Sequence, residues 1–300
     1  MGGTRFVGKA VVSKLIEMQH DLTIFTRGNN NLPEGVNHIK GDRNSKDIEQ
    51  LSGMNFDVII DSSGRTVDQS RNVIDITGKP SHRFVYISSA GVYKNVHELP
   101  LDESSPIDLN SRHIGKVETE KWLKDSKIPF TSFRPTYIYG PGNYNQIEKW
   151  FFDRITRSRP IPLPSRGDTI TQLGHVNDLA DAICLSLNNT RSINTIYNCS
   201  GKKGITFKGL IESAALACGK SIDSLQLVSF DPSELNSKER KIFPLRLNHF
   251  LTDITLVTRD LEWEPKFDLI EGLKDSYNND YLRNGGGLVD FTSDINLLGF

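Results

Sequence analysis

The first eight residues, MGGTRFVG (Met1 to Gly8), decide how the rest of the chain is read. A phosphate-binding turn of the G-x-x-G-x-x-G type needs a strand before it, a helix after it and glycine at its middle position. Gly2 and Gly8 fit the outer positions, but Arg5 stands in the middle and no strand precedes. A central strand is expected to feed such a turn, because without it the neighbouring strands keep unpaired backbone groups inside the protein. The natural reading frame is therefore expected to begin several residues upstream of Met1.

Working outward, KAVVSKLIEMQH spaces its apolar residues as a helix, and DLTIFTRG reads as a short buried strand. The alternation continues through a helix at KDIEQL, a strand at FDVIIDSS, a helix at RNVIDIT and a strand at RFVYISSAGVY. A helix at GKVETEKWLKD, a strand at FTSFRPTYIYG, a helix at VNDLADAICLSL and a strand at TIYNCS extend it to about residue 200. Near-continuous apolar strands separated by helices predict an α/β, doubly wound parallel sheet of the Rossmann type. The expected division is a dinucleotide-binding domain over 1–140 and 170–200, and a smaller mixed α/β lobe over 141–169 and 201–283. A tail over 284–300 follows a glycine-rich break at NGGG.

Composition narrows the function classes. The chain has 300 residues, 37% hydrophobic and 24% charged, which describes a globular protein. Lys and Arg total 36 against 37 for Asp and Glu, so attraction to nucleic acid must come from a local patch. Cys184, Cys199 and Cys218 lack C-x-x-C spacing, so neither a disulfide scaffold nor a metal site is expected. No membrane-length apolar run or leader is visible, and a cytoplasmic or plastid stroma-like compartment is expected, with no membrane partner. The oligomeric state is not readable.

Five segments in order, GGTRFVG, YISSAGVY, FRPTYIYGPGN, GHVNDLADAI and LEWEPKFDLIEGL, resemble the extended short-chain dehydrogenase/reductase family, the nucleotide-sugar epimerases and dehydratases. The resemblance spans about residues 1–283. It implies a cofactor site from Gly2, Gly3, Thr4, Arg5, Phe6, Val7 and Gly8, with Thr26, Arg27, Asp42, Ser62, Ser63, Ser88 and Pro135. Arg27 at the end of the second strand suits a 2′-phosphate, so NADP is expected over NAD. Arg5 either fills the space where pyrophosphate approaches or turns outward to pair with it.

In that family a serine four residues before a tyrosine bonds a substrate oxygen, which selects Ser89 by its spacing to Tyr93. A Tyr-x-x-x-Lys pair then serves as general acid/base, with the lysine lowering the phenol's pKa. Lys116 matches the lysine, but the tyrosine position is Arg112, whose guanidinium exchanges no proton near neutral pH. Ser89 and Lys116 are therefore expected to be vestigial. His113 and Tyr93 are the candidate substitutes, each weighed below simple loss of activity. Arg134, Tyr137 and His175 resemble the family's substrate-edge and interdomain positions. Each has a structural alternative: Arg134 pairs internally, His175 and Asp178 cap a helix, and Ser89 satisfies backbone groups at a strand end.

Within the family, GGTRFVG, SSGRT, NSRH and FRPTYIYGPGNYN look most like the chloroplast stem-loop-binding proteins and their cyanobacterial relatives. RNA binding, endonuclease activity and ribosome association are attributed to the plant members, so RNA or a ribosome becomes a candidate partner. Two clusters of cations and aromatics offer contacts: Arg154, Arg157 and Arg159 around Trp150, Phe151 and Phe152, and Lys238, Arg240, Lys241 and Arg246 around Phe243. The competing assignment, that the aromatics are core and the cations snorkel outward, is the stronger for either cluster alone. Three readings stay open: an RNA-binding protein on a disabled reductase scaffold, an NADP-dependent sugar-nucleotide enzyme, and a non-catalytic NADP-sensing scaffold.

Overall fold

A computed structural model describes residues 1–145, 147–284 and 287–298. The chain runs α1 (Phe6–Glu17), β1 (Thr23–Thr26), β2 (Asn37–Lys40), β3 (Val58–Asp61), α2 (Val67–Thr77), β4 (Arg83–Ile87), α3 (Ile114–Asp125) and β5 (Phe130–Pro135). It continues with β6 (Tyr137–Tyr139), α4 (Glu148–Thr156), β7 (Ile161–Pro164), β8 (Ile170–Thr171), β9 (Leu173–His175), α5 (Val176–Leu187) and β10 (Thr195–Cys199). The remainder is β11 (Ile205–Thr206), α6 (Phe207–Ala217), β12 (Leu227–Phe230), α7 (Thr255–Leu261), α8 (Leu269–Ser276), α9 (Leu282–Asn284) and α10 (Ile295–Leu298).

Two compact units result, the first comprising 1–136, 176–200 and 252–264, the second 137–175, 201–251 and 265–300. In the first unit β3, β4, β5 and β10 form one parallel sheet in the order β10-β5-β4-β3, and β1 pairs with β2, also in parallel. Every residue of β4 and β5 is buried, as expected for strands covered on both faces. Phe25, Ile59, Val73, Phe84, Tyr86 and Phe130 form the core on one side of this sheet.

The position between β1 and β3 holds Met1 and Gly2. The Met1 nitrogen donates to the Ile60 carbonyl (2.8 Å), Ser62 N–H to the Met1 carbonyl (3.2 Å) and Gly2 N–H to the Phe25 carbonyl (3.3 Å). Below these bonds a cavity opens between the two strands, lined by Thr23, Phe25, Val58 and Ile60 with Phe56 and Val73.

The second unit gathers around buried aromatics. Trp150, Phe151 and Phe152 of α4 pack with Phe207, Phe230 and Phe243, and Trp150 lies edge-on to Phe243 with centroids 5.4 Å apart. The short parallel pairs β6–β9 and β7–β12 and the antiparallel pair β8–β11 flank this core.

Several local expectations change. KDIEQL is a 3₁₀ helix (Lys46–Leu51), capped by the Ser45 hydroxyl. The YISSAGVY strand ends at Ile87 and gives way to a 3₁₀ turn at Ala90–Val92. FTSFRPTYIYG divides into β5 and β6, because Thr136 N–H bonds the Cys199 carbonyl while Tyr137 onward pairs with β9. Residues 252–264, assigned to the smaller lobe, belong to the first unit. There Trp263 Nε1 donates to the Asp178 carbonyl (3.1 Å) and Asn189 Nδ2 to the Asp260 carbonyl (2.7 Å). Of the expected glycine break, Gly285 and Gly286 lie outside the described residues.

Candidate functional site

The turn keeps two glycine features of a phosphate-binding turn, with Arg5 at its middle position. Gly2 and Gly3 adopt φ of +83° and +114°, conformations that L side chains rarely take. A Cβ on Gly8 would stand 2.8 Å from the Gly3 nitrogen, so only glycine lets α1 close against the turn. α1 then starts with no acidic residue in its first turn and no side-chain cap, leaving its positive end suited to an anion. The Arg5 backbone is extended and the residue is exposed. Thr4 and Val7 flank it half-buried, and the Phe6 ring is buried at φ +39°.

Farther along the sheet edge, the Thr26 hydroxyl bonds His38 Nε2 (3.0 Å), and Arg27 beside it is exposed. The Asp42 carboxylate is spent locally, accepting from Asn44 N–H (2.9 Å). Its neighbour Arg43, which the sequence did not single out, reaches inward instead. Arg43 makes a two-pronged pair with Asp61 at the end of β3 (2.7 and 2.8 Å) and also donates to the Ser63 hydroxyl (2.9 Å). Burial alone would raise the Asp61 carboxyl, but Arg43 and the Ser70 hydroxyl outweigh it and hold Asp61 well below the usual carboxylate range. Ser62 donates to the Met1 carbonyl (3.0 Å).

At the carboxyl ends of β4 and β5, the Ser88 and Thr136 hydroxyls are buried without a hydrogen-bond partner, and Pro135 is buried between Arg134 and Thr136. Orphaned hydroxyls at the carboxyl ends of parallel strands, in a unit that also has a glycine turn ahead of a helix with no side-chain cap, fit a polar ligand in the crevice of a parallel sheet. Thr136 was missed by the sequence reading, since nothing in its spacing distinguishes it from a strand residue.

The residues expected at a reaction centre are engaged as follows. The Ser89 hydroxyl accepts from Gly91 N–H (3.1 Å) and caps the 3₁₀ turn. Arg112 is exposed ahead of α3, and its Nε donates to His113 Nε2 (3.0 Å). Lys116 Nζ donates to the Ile87 carbonyl (2.6 Å) and the Gly64 carbonyl (3.3 Å). Burial lowers its pKa to about 8 against the pull of Asp61.

Tyr93 and Arg134, expected at the substrate edge, join a buried network in the first unit. Arg134 grips Glu120 through Nη2 (2.6 Å) and Nε (3.1 Å) and donates to the Tyr93 hydroxyl (3.0 Å), which donates in turn to Asn198 Oδ1 (2.7 Å). Burial pushes the Tyr93 phenol up to about 12, more than Arg134 pulls it down. A phenol so held is a poor proton shuttle.

In the second unit, the Tyr137 hydroxyl accepts from Arg246 N–H (2.8 Å). His175 at the end of β9 lies 3.2 Å from Asp275 Oδ2 and stacks on Phe267. Burial, opposed by Asp275, lowers its pKa to about 4 and keeps the imidazole neutral near pH 7. Nearby, Glu148 accepts from Gly140 N–H (2.9 Å) and Asn143 Nδ2 (2.8 Å), and burial pushes its carboxyl up to about 7.

The two aromatic clusters differ: in the first, Arg154 is buried with its guanidinium 3.5 Å from the Trp150 ring centre, and only in the second do the cations stand apart. Trp150, Phe151, Phe152 and Phe243 are core, whereas Lys238, Arg240 and Lys241 are exposed on one short 3₁₀ turn. Among the described residues there is no group of three or more His, Cys, Asp or Glu able to hold a metal, and no helix long and apolar enough to cross a membrane.

A doubly wound sheet with a glycine turn at a helix start defines a dinucleotide-binding class. Residues 1–200 match the NAD dependent epimerase/dehydratase family, and the chain belongs to it. The chain is 40% identical over 316 residues to the chloroplast stem-loop binding protein of 41 kDa b from Arabidopsis thaliana, covering 99% of this chain and 83% of that one. It is 24% identical to a UDP-glucose 4-epimerase of Vibrio cholerae, covering 91% of this chain and 92% of the other. The UDP-glucose 4-epimerase of Thermotoga maritima superposes with a TM-score of 0.77 at 19% identity, over 93% of this chain and 96% of that one.

Proposed function

We propose that this chain is an RNA-binding protein on a dinucleotide-binding scaffold whose proton-transfer centre is disabled. The observation that carries this reading is Arg112, a permanently charged guanidinium engaged with His113 where the family's phenol would stand. Ser89 and Lys116 are vestiges on this reading, one capping a turn and the other held by backbone carbonyls. The likeness to a stem-loop binding protein supports RNA as the ligand, in the cytoplasm or a plastid-like stroma. Lys238, Arg240 and Lys241 supply exposed phosphate contacts.

A bound dinucleotide would lie on Gly2, Gly3, Gly8 and the start of α1, with Ser88 and Thr136 offering hydroxyls and Arg27 favouring the 2′-phosphate of NADP. When present, the group supplies a hydride acceptor, but these residues provide no acid to accompany it.

The test is a salt titration of binding to a stem-loop RNA, alongside nicotinamide turnover with a nucleotide sugar. Binding that weakens as salt rises, by about two to three in the log–log slope, is expected, with no turnover. Absence of binding at low ionic strength overturns the RNA reading, and sustained turnover favours an NADP-dependent sugar-nucleotide enzyme instead.

A further inference from the structure

We infer that residues 287–298 form a displaceable strap over a second, masked RNA site on α4, an inference that rests on the RNA-binding reading. Three arginines at the end of α4 each meet a group of this segment. Arg154 holds the Asp294 carboxylate with two prongs, Nε at 3.1 Å from Oδ2 and Nη2 on Oδ1. Arg157 Nη2 donates to the Gly287 carbonyl (2.9 Å). Arg159 lies over the Phe291 ring, its guanidinium 4.3 Å from the centroid, and Arg154 lies 5.3 Å from the same ring.

The strap thus offers a carboxylate, a carbonyl and an aromatic face to three guanidinium groups. Single-stranded RNA offers the same set of contacts as phosphate, base carbonyl and base face. Arginine is suited to all three, because its planar fork takes two oxygens at once and its face stacks on rings.

The strap is anchored at a few points. Asp294 and Leu297 are buried, but Leu288 is fully exposed and Ile295 is about half exposed. Arg154 is only 3% exposed with the strap in place, so the cation is hidden from any polyanion until the segment leaves. Arg157 keeps Asp153 and Tyr281 as partners, which hold its head in position at the helix end.

The experiment compares three chains for binding a fluorescein-labelled single-stranded oligouridylate by anisotropy: the full chain, a chain ending at Asn284, and the full chain with Phe291→Ala and Asp294→Ala. Both altered chains are expected to bind about tenfold tighter or more, with the log–log salt slope steeper by about 2, as three arginines released from the strap's carboxylate, carbonyl and ring dictate. Arg157→Gln with Arg159→Gln in the shortened chain is expected to cancel the gain. Folded variants with unchanged affinity and slope overturn the strap. Should the shortened chain not fold, the double variant alone decides. An equal gain for inorganic polyphosphate, which has no bases, overturns the assignment to RNA. A full chain that binds stem-loop RNA with no gain on removing the strap removes this inference and leaves the RNA reading standing. No binding by any chain removes both.

Discussion

Lys116 and Tyr86 share one acceptor: the ammonium lies 3.3 Å and the phenol 3.1 Å from the Gly64 carbonyl. A tyrosine does stand beside this lysine, with the ammonium 5.2 Å from the centre of its ring. Its hydroxyl is wholly buried, however, and burial raises its pKa far above the ordinary phenol value. Tyr86 is therefore a floor under Lys116 and not a replacement acid.

On the proposed reading, a phenol placed at residue 112 is not expected to bring about chemistry. Arg112→Tyr should raise nicotinamide turnover by less than about tenfold, short of the roughly 10²–10⁴-fold that a seated acid–base group supplies. Residue 112 precedes α3, and the Lys116 ammonium is already committed to Ile87 and Gly64. A gain of a hundredfold in an absorbance assay would show that the phenol alone was lacking.

The Arg134–Glu120 pair should behave as a buried ion pair. Glu120→Gln leaves a buried guanidinium half-satisfied, and breaking such a pair costs about 3–5 kcal/mol. Urea unfolding followed by circular dichroism would read this. Replacing both partners, as Arg134→Met with Glu120→Leu, should recover most of the loss. A double variant as weak as the single one would mean that packing and not charge sets the cost.

Glu148 and His175 oppose each other in the second unit's response to pH. The Glu148 carboxyl is raised to about 7, so the protonated form is favoured on folding. Its stabilisation is complete below the unfolded value near 4.5 and is lost as pH rises to 7. The His175 imidazole is lowered to about 4, so the neutral form is favoured. Its contribution is complete above the unfolded value near 6.5 and is lost as pH falls to 4. Between pH 4.5 and 6.5 the two nearly cancel. Glu148→Gln should therefore uncover a stability that climbs with pH across that window, and His175→Gln one that declines. Parallel urea midpoints at several pH values check both signs.

How much of this was legible beforehand depended on range. The parallel sheet could be read because each strand's apolar run and each helix's spacing are local properties, visible in VIID or RFVYI without knowledge of partners. The return of 252–264 to the first unit rests on Trp263 and Asp260 meeting residues about 70 to 85 positions away, which no local pattern encodes. At the site, Asp42 and Arg43 are adjacent and equally polar. The sequence pointed to the carboxylate, whereas folding turned the cation inward to Asp61. The aromatics of α4 were readable as core from their helical spacing, but the acid that meets Arg154 lies 140 residues on.

Dinucleotide choice is a separate matter for Arg27. Arg27→Glu should weaken NADP binding about tenfold or more, the scale of one lost charge-assisted hydrogen bond, while leaving NAD nearly unchanged. Fluorescence titration with both coenzymes measures the difference. An equal loss for each would take Arg27 out of the 2′-phosphate's reach.

The seating of β4 between two parallel neighbours has a consequence for how the first unit breathes. In heavy water the amides of Phe84 to Ile87, hemmed in on both sides, would hold their protons until the whole unit lets go.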